Sequence, residues 1–129
     1  MKRTLSFILA IAMVVSFCTC FSLNASAETY VAEIDGTQYT SIQAAVDAVT
    51  AGQTITLLTD FEDGGVKVPS GKEFTLDFAG HTLTVGTPLV GSTGTETNGF
   101  QLLKDSTITM KNGTITTTTA KILIQNYSN

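Results

Sequence analysis

The stretch LDFAGHTLT, Leu76 to Thr84, returns as ITMKNGTIT, Ile108 to Thr116, at an offset of 32 residues. At that offset Leu76 meets Ile108, Phe78 meets Met110 and Leu83 meets Ile115, with the glycine displaced by one place. Each copy is an alternating run, a break and a second alternating run. Alternation of apolar and polar residues predicts half-buried strands. The glycines between them predict turns. An earlier run, ITLLTD from Ile55, lies 21 residues before Leu76. A strand–break–strand unit recurring at such intervals is what a solenoid of stacked coils looks like in sequence. The longer second interval contains GTPLVGSTGTETNG, Gly86 to Gly99, which reads as a loop inserted into one coil.

Outward from the repeat the same pattern continues. Val66-Lys67-Val68 alternates and stops at Pro69-Ser70-Gly71, and Lys121-Ile122-Leu123-Ile124 comes last. After residue 53 there is no helical stripe. An antiparallel meander also accounts for the alternation. The coil is preferred because the repeating unit holds more than two strands and because of what precedes it.

What precedes it is TSIQAAVDAVTAG, Thr40 to Gly52. Thr40 and Gln43 match a capping box, and Ile42, Ala45, Val46 and Val49 form one apolar stripe at helical spacing. Gly52 stands where helices commonly end in the left-handed conformation. The reading is a helix of about three turns over Thr40 to Ala51. A stack of coils exposes unpaired backbone and an apolar interior on its first rung. A short amphipathic helix just before that rung would be its lid, covering the interior near Ile55 and Leu57. The expected fold is all-β, a right-handed parallel β-helix with a capping helix.

The chain begins with Lys2 and Arg3, a mostly apolar run from Leu5, and Asn24-Ala25-Ser26-Ala27. That is the pattern of a secretory signal peptide over residues 1–27, cleaved after Ala27. A membrane anchor would call for a basic stop after the run, and a lipoprotein for a small apolar context before Cys18 or Cys20. Cleavage removes both cysteines, so residues 28–129 contain no thiol for a disulfide or a thiolate metal site. Those residues hold five lysines, no arginine and all eleven acidic side chains, a formal charge of 5 − 11 = −6. A phosphate backbone would be repelled, which excludes nucleic acid as the expected partner.

The runs YTSIQAAVDAVTAGQTITLL, Tyr39 to Leu58, and VPSGKEFTLDFAGHTLT, Val68 to Thr84, resemble the N-terminal part of right-handed parallel β-helix proteins of the pectate-lyase-like superfamily. The likeness is strongest to large secreted surface proteins of Gram-positive bacteria and spans roughly Ile34 to Ile124. It implies a fold more than an activity, because the superfamily includes lyases, hydrolases, esterases and adhesins. Its catalytic residues lie on later coils, so the resemblance carries no catalytic residue to this chain.

Candidate chemistry is sparse. His81, the only histidine, follows Ala79-Gly80 at a corner, and catalysis would need a base partner and an orienting group beside it. Asp60, Glu62 and Asp63, before Gly64-Gly65, could offer oxygens to calcium, but they lack the register of a calcium loop and read as a solvated acidic turn. Asp77 should point outward and could meet acidic residues of neighbouring rungs. Thr116 to Thr119 and the other outward threonines could bond sugar hydroxyls, although β-propensity alone explains them. Asn112-Gly113 is a turn signal. No catalytic, cofactor-binding or metal-ligating residue is assigned.

Two functions follow. One is a secreted or cell-surface structural or adhesive module that contacts glycans. The other is the front of a polysaccharide-active enzyme whose catalytic coils lie elsewhere. The missing arginine and acid–base set favour the first. The C-terminal end shows no cover comparable to the helix, so later coils or another chain are expected over it.

Overall fold

The computed structural model describes residues 27–127. The proposed signal peptide therefore lies, but for Ala27, outside the described residues. The fold is all-β with one short helix among the described residues. A hairpin of β1 (Ala32–Ile34) and β2 (Thr37–Tyr39) leads into α1 (Ile42–Ala48). Three segments of strands follow. The first is β3 (Thr54–Leu57), β4 (Phe61–Asp63) and β5 (Val66–Val68). The second is β6 (Glu73–Asp77), β7 (Thr82–Val85), β8 (Val90–Ser92) and β9 (Thr95–Leu102). The third is β10 (Thr107–Lys111), β11 (Thr114–Thr117) and β12 (Ile122–Asn126).

Each segment gives one strand to each of three sheets. β6 pairs in parallel with β3 and β10, β7 with β4 and β11, and β9 with β5 and β12. The pairing sets apolar on apolar. Ile55, Leu76 and Met110 stack, as do Phe61, Leu83 and Ile115, and Val66, Phe100 and Ile124. In-register parallel pairs put these side chains on one face, and the inward columns merge with the helix stripe into a single buried cluster.

The repeat is real, but its register differs from the sequence alignment in one half. Leu83 pairs with Ile115 and Ile55 with Leu76, as expected. Ile108, however, pairs with Phe74, and Met110 with Leu76, a shift of two residues. The cause lies in the turns. Phe78-Ala79-Gly80-His81 links β6 to β7, whereas only Asn112-Gly113 links β10 to β11. Phe78, aligned by pattern with a strand residue, sits buried within the longer turn. Ala79, Gly80 and Asn112 take positive φ there. The shorter turn runs so close to the longer one that a methyl group on Gly113 would overlap Phe78 and the His81 carbonyl.

Other readings need correction. Gly86 to Gly99 is not a plain loop: it contains β8 and the start of β9, which pair antiparallel. Asp60 to Asp63 is not a turn, because Phe61–Asp63 pairs with β7. Alternation was invisible in FED because only its phenylalanine is apolar. The hairpin of β1 and β2 was not anticipated at all, its strands being too short to show a period.

The helix has two turns rather than three. Its N-cap is Ser41, not Thr40: the Ser41 hydroxyl accepts from the Ala44 amide at 3.1 Å. Gln43 does not complete a capping box. Its side-chain amide donates to the Lys67 carbonyl at 3.0 Å and accepts from the Lys67 amide at 2.8 Å. The helix ends at Ala48, with Val49 already extended. Gly52, at φ +82°, serves a later turn and donates to Glu73.

The capping role is divided. The helix packs on β5, β1 and β2, and Ile42, Ala45, Val46 and Val49 are fully buried. The edge of β3, with Ile55 and Leu57, is covered instead by β1, which pairs with it antiparallel. Gln43 imitates a strand along β5. Asp63 on β4 accepts from the Ile42 amide at 2.9 Å, a carboxylate on the orphan donors of the first turn. Lys72 donates to the Asp47 and Val49 carbonyls at 3.0 and 2.6 Å.

At the other end, β10, β11 and β12 are edge strands. Ile108, Met110 and Ile115 are only partly buried, and Ile122 and Ile124 are each 42% exposed although they stack on the buried Asn98 and Phe100.

Candidate functional site

The outward positions of the strands form the surface on which any ligand would land. On the first sheet Thr54, Thr75 and Thr109 fall in one row. On the second sheet Thr82 pairs with Thr114 and Thr84 with Thr116. Alternation forces this arrangement: residues i and i+2 share a face, and in-register rungs repeat each row. Strand geometry spaces the hydroxyls by about 4.8 Å between rungs and about 6.6 Å along a strand. Thr114 and Thr116 are exposed, and Thr82 and Thr84 are half-buried. The third sheet presents Lys67, Gln101 and Gln125 in a row. Gln101 is buried, and its Oε1 has no partner.

The threonine run after β11 has a different use. Thr117 donates its hydroxyl to the Val85 carbonyl at 2.7 Å and accepts from the Ala120 amide at 3.0 Å. It builds the turn into β12 rather than a free face.

The polar side chains singled out in the sequence gather at the corner between the first and second sheets. Asp60 accepts from the Thr82 amide at 2.8 Å and lies 3.2 Å from His81 Nδ1. The Thr82 bond first, and His81 second, hold its carboxyl below the ordinary range. Asp77 accepts from the Ala79 amide at 2.9 Å and from the Asn112 side chain at 3.1 Å, with Lys111 Nζ 3.2 Å away. Those donors, the Ala79 amide foremost, also lower its pKa. Both carboxylates clamp one segment to the next. Asp77 does not meet acidic neighbours: its register partners are Thr56 and Lys111.

The acidic trio does not converge. Asp60 turns to β7, Asp63 to the helix and Gly64, and Glu62 lies over Gly86. Among the described residues no group of three metal-ligating side chains comes together. His81 has its carboxylate, but no hydroxyl or thiol is bonded to the ring among the described residues. A histidine–carboxylate pair without a nucleophile orients a turn; it does not form a catalytic constellation. No helix among the described residues is long and apolar enough to cross a membrane.

Sequence reasoning located the corner and the outward threonines through alternation. It missed Gln43 and Asp63 as edge-capping groups, because their partners lie 24 and 21 residues away. Comparison of the chain with protein-family models, curated proteins and solved structures finds no match to any of them.

Proposed function

We propose that the chain is the capped head of a right-handed parallel β-helix of the pectate-lyase-like kind, carried by a secreted or cell-surface protein. It acts as a structural and adhesive module, and its outward hydroxyl rows contact glycans. The observation that carries the glycan reading is the in-register pairing of Thr82 with Thr114 and Thr84 with Thr116 on one sheet. Rows of fixed hydroxyls suit a neutral polymer, whose own hydroxyls repeat along its length. The formal charge of −6 over residues 28–129 speaks against acidic polymers as well as nucleic acid. The tail of the stack is covered by later coils or by another chain.

The test is binding of the purified chain to immobilised neutral and acidic glycans. Retention on a neutral glycan, weakened when Thr84 and Thr116 are both changed to Val, supports the reading. Valine keeps the shape and β-propensity but removes the hydroxyl. Absence of binding to every neutral glycan at millimolar concentration refutes the adhesive role. Sequencing the N-terminus of the secreted protein tests the leader; Glu28 is the expected first residue.

A further inference from the structure

We infer that the cover of the open tail is a second copy of this chain, docked two-fold through β12, with Ile124 of each copy facing Ile124 of the other. This inference rests on the stacked-coil reading above and names the partner that the reading leaves open.

Of the three edge strands, β12 alone lacks protection. Soluble proteins blunt exposed edges with charge, proline or short strands. β10 ends in Lys111, held by Asp77. β11 has four residues, three of them threonine. β12 is ILIQN, without charge or proline, and carries two of the largest exposed apolar side chains.

The backbone of β12 is oriented to receive a strand. The Tyr127 amide donates to Leu102 of β9. Backbone groups alternate sides along a strand, so Ile122 and Ile124, each an odd number of residues away, turn theirs to the free edge. In an antiparallel pair centred on Ile124, the two Ile124 residues exchange both backbone bonds. Their side chains, which face inward over Phe100, meet across the axis and close the exposed core.

Charge selects this end. Residues 28–106 carry all eleven acidic side chains and three lysines, 3 − 11 = −8. Residues 107–127 carry Lys111 and Lys121 and no acid. Two copies of an acidic molecule meet with least repulsion where the carboxylates are missing. Antiparallel pairing sets each Lys121 beside Tyr127 of the other copy, not beside the other lysine. The two-fold axis also reverses the sense of winding, so β10 of one copy meets β11 of the other in opposite directions. The head cannot serve as the receiving surface, because β1 and Gln43 occupy the edges of β3 and β5. The association is therefore closed rather than filamentous.

The experiment is sedimentation equilibrium of the full chain with two variants, each checked for fold by circular dichroism. Ile124→Pro removes only an edge-facing amide, which a strand's own ladder tolerates. Ile124→Lys sets two like charges on the axis. The expected result is a wild-type dimer and at least a tenfold weaker association in both variants, with strand content unchanged; tenfold is about 1.4 kcal/mol, the scale of the lost bonds. A folded wild-type chain that stays monomeric at about 0.2 mM overturns the inference while leaving the stacked-coil reading intact. So does a dimer that survives both substitutions. Loss of strand content in the wild-type chain would count against the stacked-coil reading itself.

Discussion

The two ends of the stack are built from the same kind of strand, yet they differ in what lies over them. At the head, every inward column ends beneath something. β1 covers β3, the Gln43 amide covers β5, and the helix seals the interior with four fully buried side chains. At the tail, the columns end in Ile108, Met110, Ile115, Ile122 and Ile124, all partly in water. Burial of such side chains is worth roughly 25 cal/mol for each Å² of apolar surface. The last rung therefore gains much less from folding than the first. The lesson is that strand pattern alone does not set local stability; the same alternation is firm under a lid and loose without one.

The sharpest way to break this comparison is to place one charge at each end. Val46→Asp puts an unpaired carboxylate into the sealed interior and should lower stability by about 3–5 kcal/mol. Ile122→Asp at the open rung should cost well under half of that, because water already reaches the site. Urea unfolding of both variants checks the ratio, and equal losses would erase the difference between the ends.

Next in size is Gly113→Ala. The added methyl group meets Phe78 and the His81 carbonyl, and overpacking of this kind costs about 1–3 kcal/mol. The loss should appear mainly in the third segment. Gln43→Ala comes third. It removes both bonds to Lys67 and should cost about 1–2 kcal/mol, with faster hydrogen exchange at the Lys67 amide. A Lys67 amide that keeps its protection would mean that the side chain does not act as a strand.

The smallest effect belongs to the corner clamps. Asp60 and Asp77 both have folded pKa values below the ordinary carboxylate value. A group with a depressed folded pKa stabilises the fold above its unfolded pKa, and loses that contribution as pH falls through the folded value. Wild-type stability should therefore decline below about pH 4. Asp60→Asn and Asp77→Asn should each make that decline shallower, as measured by thermal midpoints from pH 5 to 2.

Much of the middle of the molecule was legible in the sequence. The outward threonines, the inward Leu83 and Ile115, and the helix stripe all follow from spacing, because packing enforces the same period that the residues display. Phe78 shows where spacing fails. It alternates like a strand residue but fills a turn, and the neighbouring turn is two residues shorter, so pattern matching slipped the register. The caps were illegible for another reason. Gln43, Asp63 and Lys72 act on partners more than 20 residues away, and nothing local marks a polar side chain as the substitute for a missing strand. The corner was legible as a set of polar residues, but not as clamps, because the partners of Asp60 and Asp77 are backbone amides fixed only by the stacking.

Hydrogen exchange, residue by residue, on the dilute chain tests the contrast between the ends most directly. The amides to follow are those of Leu58, which donates to Val31 at the covered head, and of Tyr127, which donates to Leu102 at the open tail. The account predicts that Tyr127 exchanges through local opening at least about 100-fold faster than Leu58, which exchanges only on larger-scale unfolding. Equal protection at both amides, or a slower tail than head, would contradict it.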